Sequence, residues 1–176
     1  MMFTETAIEG AFLIEPERLE DERGFFARTF CQREFAARGL STRLAQCSVS
    51  FNRRTGTVRG MHYSVAPHAE EKLVRCTRGR VFDVLLDLRP DSPTFRRWTA
   101  VTLAADDHRM VYVPAGVAHG FQTLEPESEV FYQMSEFYAP ECARGVRWDD
   151  PAFGIEWPPA ERTISERDRR YPDYRP

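Results

Sequence analysis

Long apolar runs are missing from this sequence. No stretch approaches the roughly 18 residues of a membrane-crossing helix, so no span is expected. An excess of charge of one sign is missing too. Lys and Arg number 24 against 27 Asp and Glu, a net charge of −3. That argues against a general nucleic-acid role and leaves any anionic ligand to local arginine clusters. Cysteine is limited to Cys31, Cys47, Cys76 and Cys142, widely spaced and without a C-x-x-C pair. This fits buried or half-buried reduced thiols in a cytoplasmic protein better than a disulfide frame or a zinc knuckle. The start, "MMFTETAIEGAFLIEPERLED", has no basic region followed by an apolar one, so no signal peptide is read. Repeats, low-complexity tracts and evident linkers are also absent, and residues 1–176 are expected to form one domain with a sizeable core.

What is present is mostly β. "KLVRCTRG", "RVFDVLLDLR", "TFRRWTAVTLA", "HRMVYVPAG", "AHGFQTLE" and "SEVFYQMSEFY" are short runs rich in Val, Phe, Tyr, Leu and Thr. Gly, Pro, Asp or Ser bounds each, at a spacing of roughly 8–12 residues that predicts a sandwich or small barrel. "PDSPT" and "AADDH" have turn composition. "FCQREFAARG", Phe30 to Gly39, predicts a helix with Phe35 and Ala36 as its apolar face and Gly39 at its C-terminal cap. "TISERDRR" predicts a second short helix, with Ser165 as cap and Asp168 at capping-box spacing. The fold class expected is all-β with short peripheral helices.

Two histidine motifs carry the chemistry. His62 lies in "VRGMHYSVAPHAEEKLVRCTRG", and His119 follows a Pro-Gly turn in "PAGVAHGF". Gly60, His62 and Gly79 resemble the first half of the cupin signature, which in metal-binding cupins supplies two histidines and a glutamate. Here the second histidine slot is Ser64 and the glutamate slot is Lys72. A protonated lysine has no lone pair and repels a dication, so no divalent-metal site is expected. A satisfied core histidine and a packing tyrosine remain the plain readings of His62 and Tyr132 taken singly. Together, His62, Lys72, His119 and Tyr132 point to proton transfer beside a carbonyl. Histidine is suited to act as the base, a fixed lysine to hold the enolate oxygen, and a tyrosine to return the proton to the other face. Arg23 in "DERGFF" and Arg59 in "TVRGMH" could grip a diphosphate beside an aromatic such as Phe26.

The blocks "DERGFF", Gln46, "TVRGMHY", "KLVRCTRG", "FDVLLDLRPDSPTF", "VPAGVAHGF", "FYQMSEFYAPE" and "GVRWDDPAFGIEWP" resemble the dTDP-4-dehydrorhamnose 3,5-epimerase family over nearly the whole chain. The resemblance implies a cupin jelly-roll homodimer without cofactor. It implies inversion at C3, C5 or both of a nucleotide-diphosphate 4-keto-6-deoxyhexose, in cytoplasmic deoxysugar and polysaccharide biosynthesis. A C3-only or C5-only epimerase, or a metal-dependent cupin enzyme, is the alternative. His62 matches the family's base, Asp168 its carboxylate partner and Tyr132 its acid. Lys72 and His119 match groups around the ketone. Arg23, Phe26, Gln46 and Arg59 match nucleotide contacts, Arg23 and Phe26 reaching the partner subunit's site. Four positions depart from the pattern: Ser64 stands for the usual glutamine, Ser48 for asparagine, Arg28 for glutamate and Gln133 for lysine. Arg28 is expected nearest the base among these. The departures leave the chemistry intact and open the base, dTDP or CDP.

Overall fold

Alternating apolar and polar positions build the chain into strands whose apolar faces must meet. The computed structural model describes residues 1–175. The N-terminal strands are β1 (Met2–Glu5), β2 (Phe12–Glu15), β3 (Arg18–Asp21) and β4 (Gly24–Ala27), followed by helix α1 (Gln32–Ala36). Then come β5 (Gln46–Asn52), β6 (Thr57–Ser64), β7 (Lys72–Arg78), β8 (Arg80–Asp87), β9 (Trp98–Ala104) and β10 (Met110–Val113). The chain continues through β11 (Val117–Thr123), β12 (Ser128–Met134), β13 (Ala143–Gly145), β14 (Thr163–Ile164) and helix α2 (Glu166–Arg169). One sheet runs β1-β2-β10-β7-β12-β5, and a second runs β13-β6-β11-β8-β9 with β14 added parallel to β6. Strands β3 and β4 form a separate hairpin. This is the all-β architecture that the residue pattern predicts and the cupin jelly-roll that the resemblance implies.

Val74, Cys76, Val111, Val113 and Val130 of the first sheet meet Val81, Leu85, Leu103, Val117 and Phe121 of the second in a fully buried core. Removing this apolar surface from water is the main drive that holds the sheets face to face. All four cysteines are free. Burial pushes the Cys76 thiol up to about 11, so it stays a neutral packing group. Cys47, expected at least half-buried, is instead exposed on the outer face of β5.

The two helices are shorter than the sequence predicts. Within Phe30–Gly39 only Gln32–Ala36 is helical. The expected cap is real: Gly39 has φ +69°, its N–H donates to Ala36 O at 3.0 Å, and Leu40 N–H donates to Phe35 O at 3.1 Å. That is a Schellman motif, and it ends the helix. Phe35 alone is buried, against Phe3, Phe30 and Tyr112, while Ala36 is exposed. The "TFRR" part of the predicted run "TFRRWTAVTLA" precedes strand β9 and forms a turn. Ser92 and Thr94 each donate a hydroxyl to Asp87 Oδ2 at 2.6 Å, and Arg96 takes φ 63°. These bonds satisfy the buried carboxylate at the cost of strand pairing.

Candidate active site

Register places the two histidines. In the antiparallel pair of β6 and β11, His62 stands directly opposite His119, so both side chains point to the same side of the sheet. Just beyond them the ladder shifts register. There Gly60 (φ +134°) lies so close to Gly120 that a Cβ on Gly60 would sit 2.5 Å from the Gly120 Cα. Only glycine satisfies both the backbone angle and that approach.

The C-terminal segment brings a carboxylate to His62. Strand β14 pairs with β6 at Thr57 and Val58 and carries α2 across the end of the sheet. Ser165 Oγ accepts the Asp168 N–H at 3.1 Å, so the predicted cap forms. The Asp168 carboxylate is then free to serve elsewhere. Its Oδ1 lies 2.7 Å from His62 Nε2, and its Oδ2 accepts the Gly60 N–H at 3.3 Å. Burial opposes ionisation of Asp168. The His62 hydrogen bond and charge, with the donors from Gly60 and Ser165, outweigh it and hold the carboxyl below the ordinary carboxylate range. With Nε2 engaged, Nδ1 is the His62 nitrogen left for a ligand.

His62 lines a cavity of about 710 Å³ between the sheets, together with Gln46, Ser48, Arg59, Ser64, Lys72, His119 and Tyr132. Lys72 is buried, with Nζ 3.1 Å from Glu70 Oε1 and 3.4 Å from the His62 carbonyl oxygen. Tyr132 faces the cavity from the opposite sheet. Burial, with a further push from Asp83 and some relief from Arg59, drives its hydroxyl pKa far up, so the phenol stays protonated. His119 is buried, and its Nε2 lies 2.8 Å from Asp83 Oδ2. Arg59 donates Nε to Asn52 Oδ1 at 2.8 Å, and Gln46 Oε1 accepts the Tyr138 N–H at 3.2 Å. An imidazole with a buried carboxylate, an ammonium and a neutral phenol around one cavity can remove, stabilise and return a proton.

Three expected site residues lie elsewhere. Arg23 is exposed at the β3–β4 turn and paired with Asp21 at 2.5 Å. Phe26, on the same hairpin, is 70% exposed. Arg28, expected nearest the base, does not join His62 within its own chain. It lies 3.4 Å from Glu34 and lines a separate cavity with Met1, Glu17 and Phe26, because the hairpin stands apart from the sheet that carries His62. Conversely, the cavity wall includes Glu70, Tyr138, Arg144 and Arg167, none of which the motifs single out. Asp83 was also missed, although an acid inside the apolar run "VFDVLL" was a visible signal. Among the described residues no three His, Cys, Asp or Glu side chains gather as a metal-ligand group.

A cupin-like jelly-roll with a histidine–carboxylate pair facing a lysine and a tyrosine defines an isomerase that works by proton transfer. Comparison with known proteins sharpens that class. The family described as dTDP-4-dehydrorhamnose 3,5-epimerase matches residues 5–175. The dTDP-4-dehydrorhamnose 3,5-epimerase of Sinorhizobium fredii is 40% identical over 98% of this chain and 89% of its own. The crystal structure of the enzyme of that name from Elizabethkingia anophelis superposes with a TM-score of 0.96 at 34% identity, covering 99% of this chain and 96% of that one. The Bacillus anthracis counterpart, solved with TDP and PPi bound, gives 0.92 at 38% identity over 97% and 98% of the two chains. The chain belongs to the dTDP-4-dehydrorhamnose 3,5-epimerase family, and it is an epimerase.

Proposed function

We propose that this protein inverts C3, C5 or both of a dTDP-linked 4-keto-6-deoxyhexose without a cofactor, residues 1–176 acting as one domain in deoxysugar biosynthesis. The observation that carries this reading is the 2.7 Å His62–Asp168 pair in one cavity with Lys72 and Tyr132. His62 Nδ1 takes a proton from the carbon beside the ketone, and the electron pair of that C–H bond moves onto the ketone oxygen. Asp168 fixes the imidazole orientation and stabilises the imidazolium. The Lys72 ammonium holds the enolate oxygen where charge develops. Tyr132 gives its phenolic proton to the opposite face, which inverts the centre. His119, held by Asp83 through Nε2, lines the same cavity beside the ketone.

Arg59 and Gln46 suit the diphosphate and the nucleoside. Arg23 and Phe26 do not reach the cavity of their own chain, which supports a role in the site of a partner subunit. A homodimer is further supported by apolar residues on the outer face of β5, where Val49 is 58% and Phe51 41% exposed. Four free thiols fit a reducing compartment, the cytoplasm. The test is NMR in D₂O with dTDP- and CDP-linked 4-keto sugars side by side. Deuterium is expected at C3, C5 or both, faster with the dTDP sugar. No exchange with either sugar overturns the reading, and faster exchange with the CDP sugar overturns the base assignment. Light scattering at the assay concentration checks the dimer.

A further inference from the structure

Lys72 does not stand alone in the cavity. Glu70, in the segment between β6 and β7, puts Oε1 3.1 Å from Lys72 Nζ, and Ser64 Oγ donates to the same oxygen at 3.4 Å. Both ends of the pair are shielded, with side-chain exposures of 8% for Lys72 and 13% for Glu70. Ser64 lies two residues beyond His62 on β6, so it shares the cavity face of the base. An ammonium has three N–H donors. One goes to Glu70 and one to the His62 carbonyl oxygen at 3.4 Å, which leaves one for a ligand.

We propose that Glu70 is a positioning residue for the epimerisation: it anchors the Lys72 ammonium so that one N–H stays directed at the developing enolate oxygen, and Ser64 in turn orients Glu70. The inference rests on the reading of Lys72 as the enolate's counter-charge. The physical need is plain. Lysine is a point charge on a flexible four-carbon stem, and an unanchored ammonium would have to be oriented anew in each turnover. A partner held by a hydroxyl from β6 of the opposite sheet preorganises it. The carboxylate also compensates a charge that is otherwise buried.

The sequence offers a clean probe, because Lys72 is the only lysine among its 24 basic residues. A ¹⁵N-lysine label therefore gives a single side-chain ammonium signal. Glu70→Gln is expected to broaden or shift that signal and to lower kcat about tenfold, with dTDP affinity unchanged within about twofold. A Lys72→Gln background supplies the control, with slow exchange followed over days. There Glu70→Gln should have no further effect beyond about twofold, because its route of action is gone. A merely structural role would lower exchange equally in both backgrounds. The proposal is overturned by an unchanged ammonium signal, by full kcat in Glu70→Gln, or by an equal loss without Lys72. If the wild-type protein exchanges no sugar at all, the epimerase reading fails, and the ammonium signal still decides the Glu70–Lys72 contact.

Discussion

Replacing Asp168 by asparagine leaves one oxygen where two donors need an acceptor. In the native protein Oδ1 serves His62 Nε2 at 2.7 Å and Oδ2 serves the Gly60 N–H at 3.3 Å. If the amide oxygen of the asparagine turns to Gly60, its NH₂ faces His62 and demands a lone pair on Nε2. The ring proton then moves to Nδ1, the nitrogen that should take the substrate proton. If the oxygen turns to His62, the Gly60 N–H faces an amide donor. A charge-assisted hydrogen bond contributes about 1.5–3 kcal/mol, which alone is about 10- to 150-fold in rate. A wrong tautomer has cost about 10⁴ in a protease triad. The expected loss of kcat/KM for Asp168→Asn is therefore about 10²–10⁴, read as deuterium entry into the 4-keto sugar by NMR.

A folding control accompanies it. Asp168 has a depressed pKa, so its stabilising effect is complete above about pH 4, the ordinary aspartate value, and is lost as pH falls through the lower folded value. The variant should melt below the wild type at pH 7, with the gap closing under strong acid. Exchange within about threefold of wild type in a folded Asp168→Asn protein would refute the dyad.

Other outcomes test the remaining parts. Tyr132→Phe should keep proton abstraction while lowering inversion by about 10²-fold, so deuterium enters with retained configuration. Equal loss of exchange and inversion would remove Tyr132 as the far-face acid. Asp87 is buried. Burial opposes its charge, but bonds from Arg89, Ser92 and Thr94 bring its pKa down to about 2. Against about 3.9 unfolded, this contributes about 2–3 kcal/mol above pH 4 that fades as pH falls through about 2. Asp87→Asn should lose that much in urea titrations at pH 7 and much less at pH 2.5, and an equal loss at both would refute the assignment. Gly60→Ala should cost at least about 1–3 kcal/mol from backbone strain and Cβ crowding at Gly120, seen as a Tm drop of several degrees together with lost exchange. An unchanged melt would show that the strands can separate there freely.

Much of the fold was legible because strands advertise themselves locally. Val, Phe and Thr runs cut by Gly, Pro and Asp mark β7 to β12 closely. The N-terminal strands were less visible, since β1, β3 and β4 are short and bury little. Lys72 and His119 could be read from spacing, because each belongs to one strand. Asp168 could not. It is 106 residues from His62 and joins it only after β14 docks on β6, so the residues alone present it as a helix cap. It does both: its N–H binds the Ser165 cap and its carboxylate binds His62. The placement of Arg28 was illegible for the converse reason. Its neighbours in sequence match site residues, yet the hairpin that carries it turns away from the chain's own cavity toward Glu34.

The scarcity of lysine has a practical consequence. The primary amines of this chain are Lys72 and the N-terminus, and both are already held by carboxylates, Lys72 by Glu70 and the Met1 amine by Glu17 and Glu34. Amine-directed chemistry therefore finds no harmless handle. Coupling through amines to a sensor surface, or crosslinking with amine reagents, would have to displace a carboxylate from the Met1 amine or enter the cavity that holds Lys72. For the same reason a label mapped to Lys72 and competed away by substrate would count empty cavities, the Met1 label being counted apart.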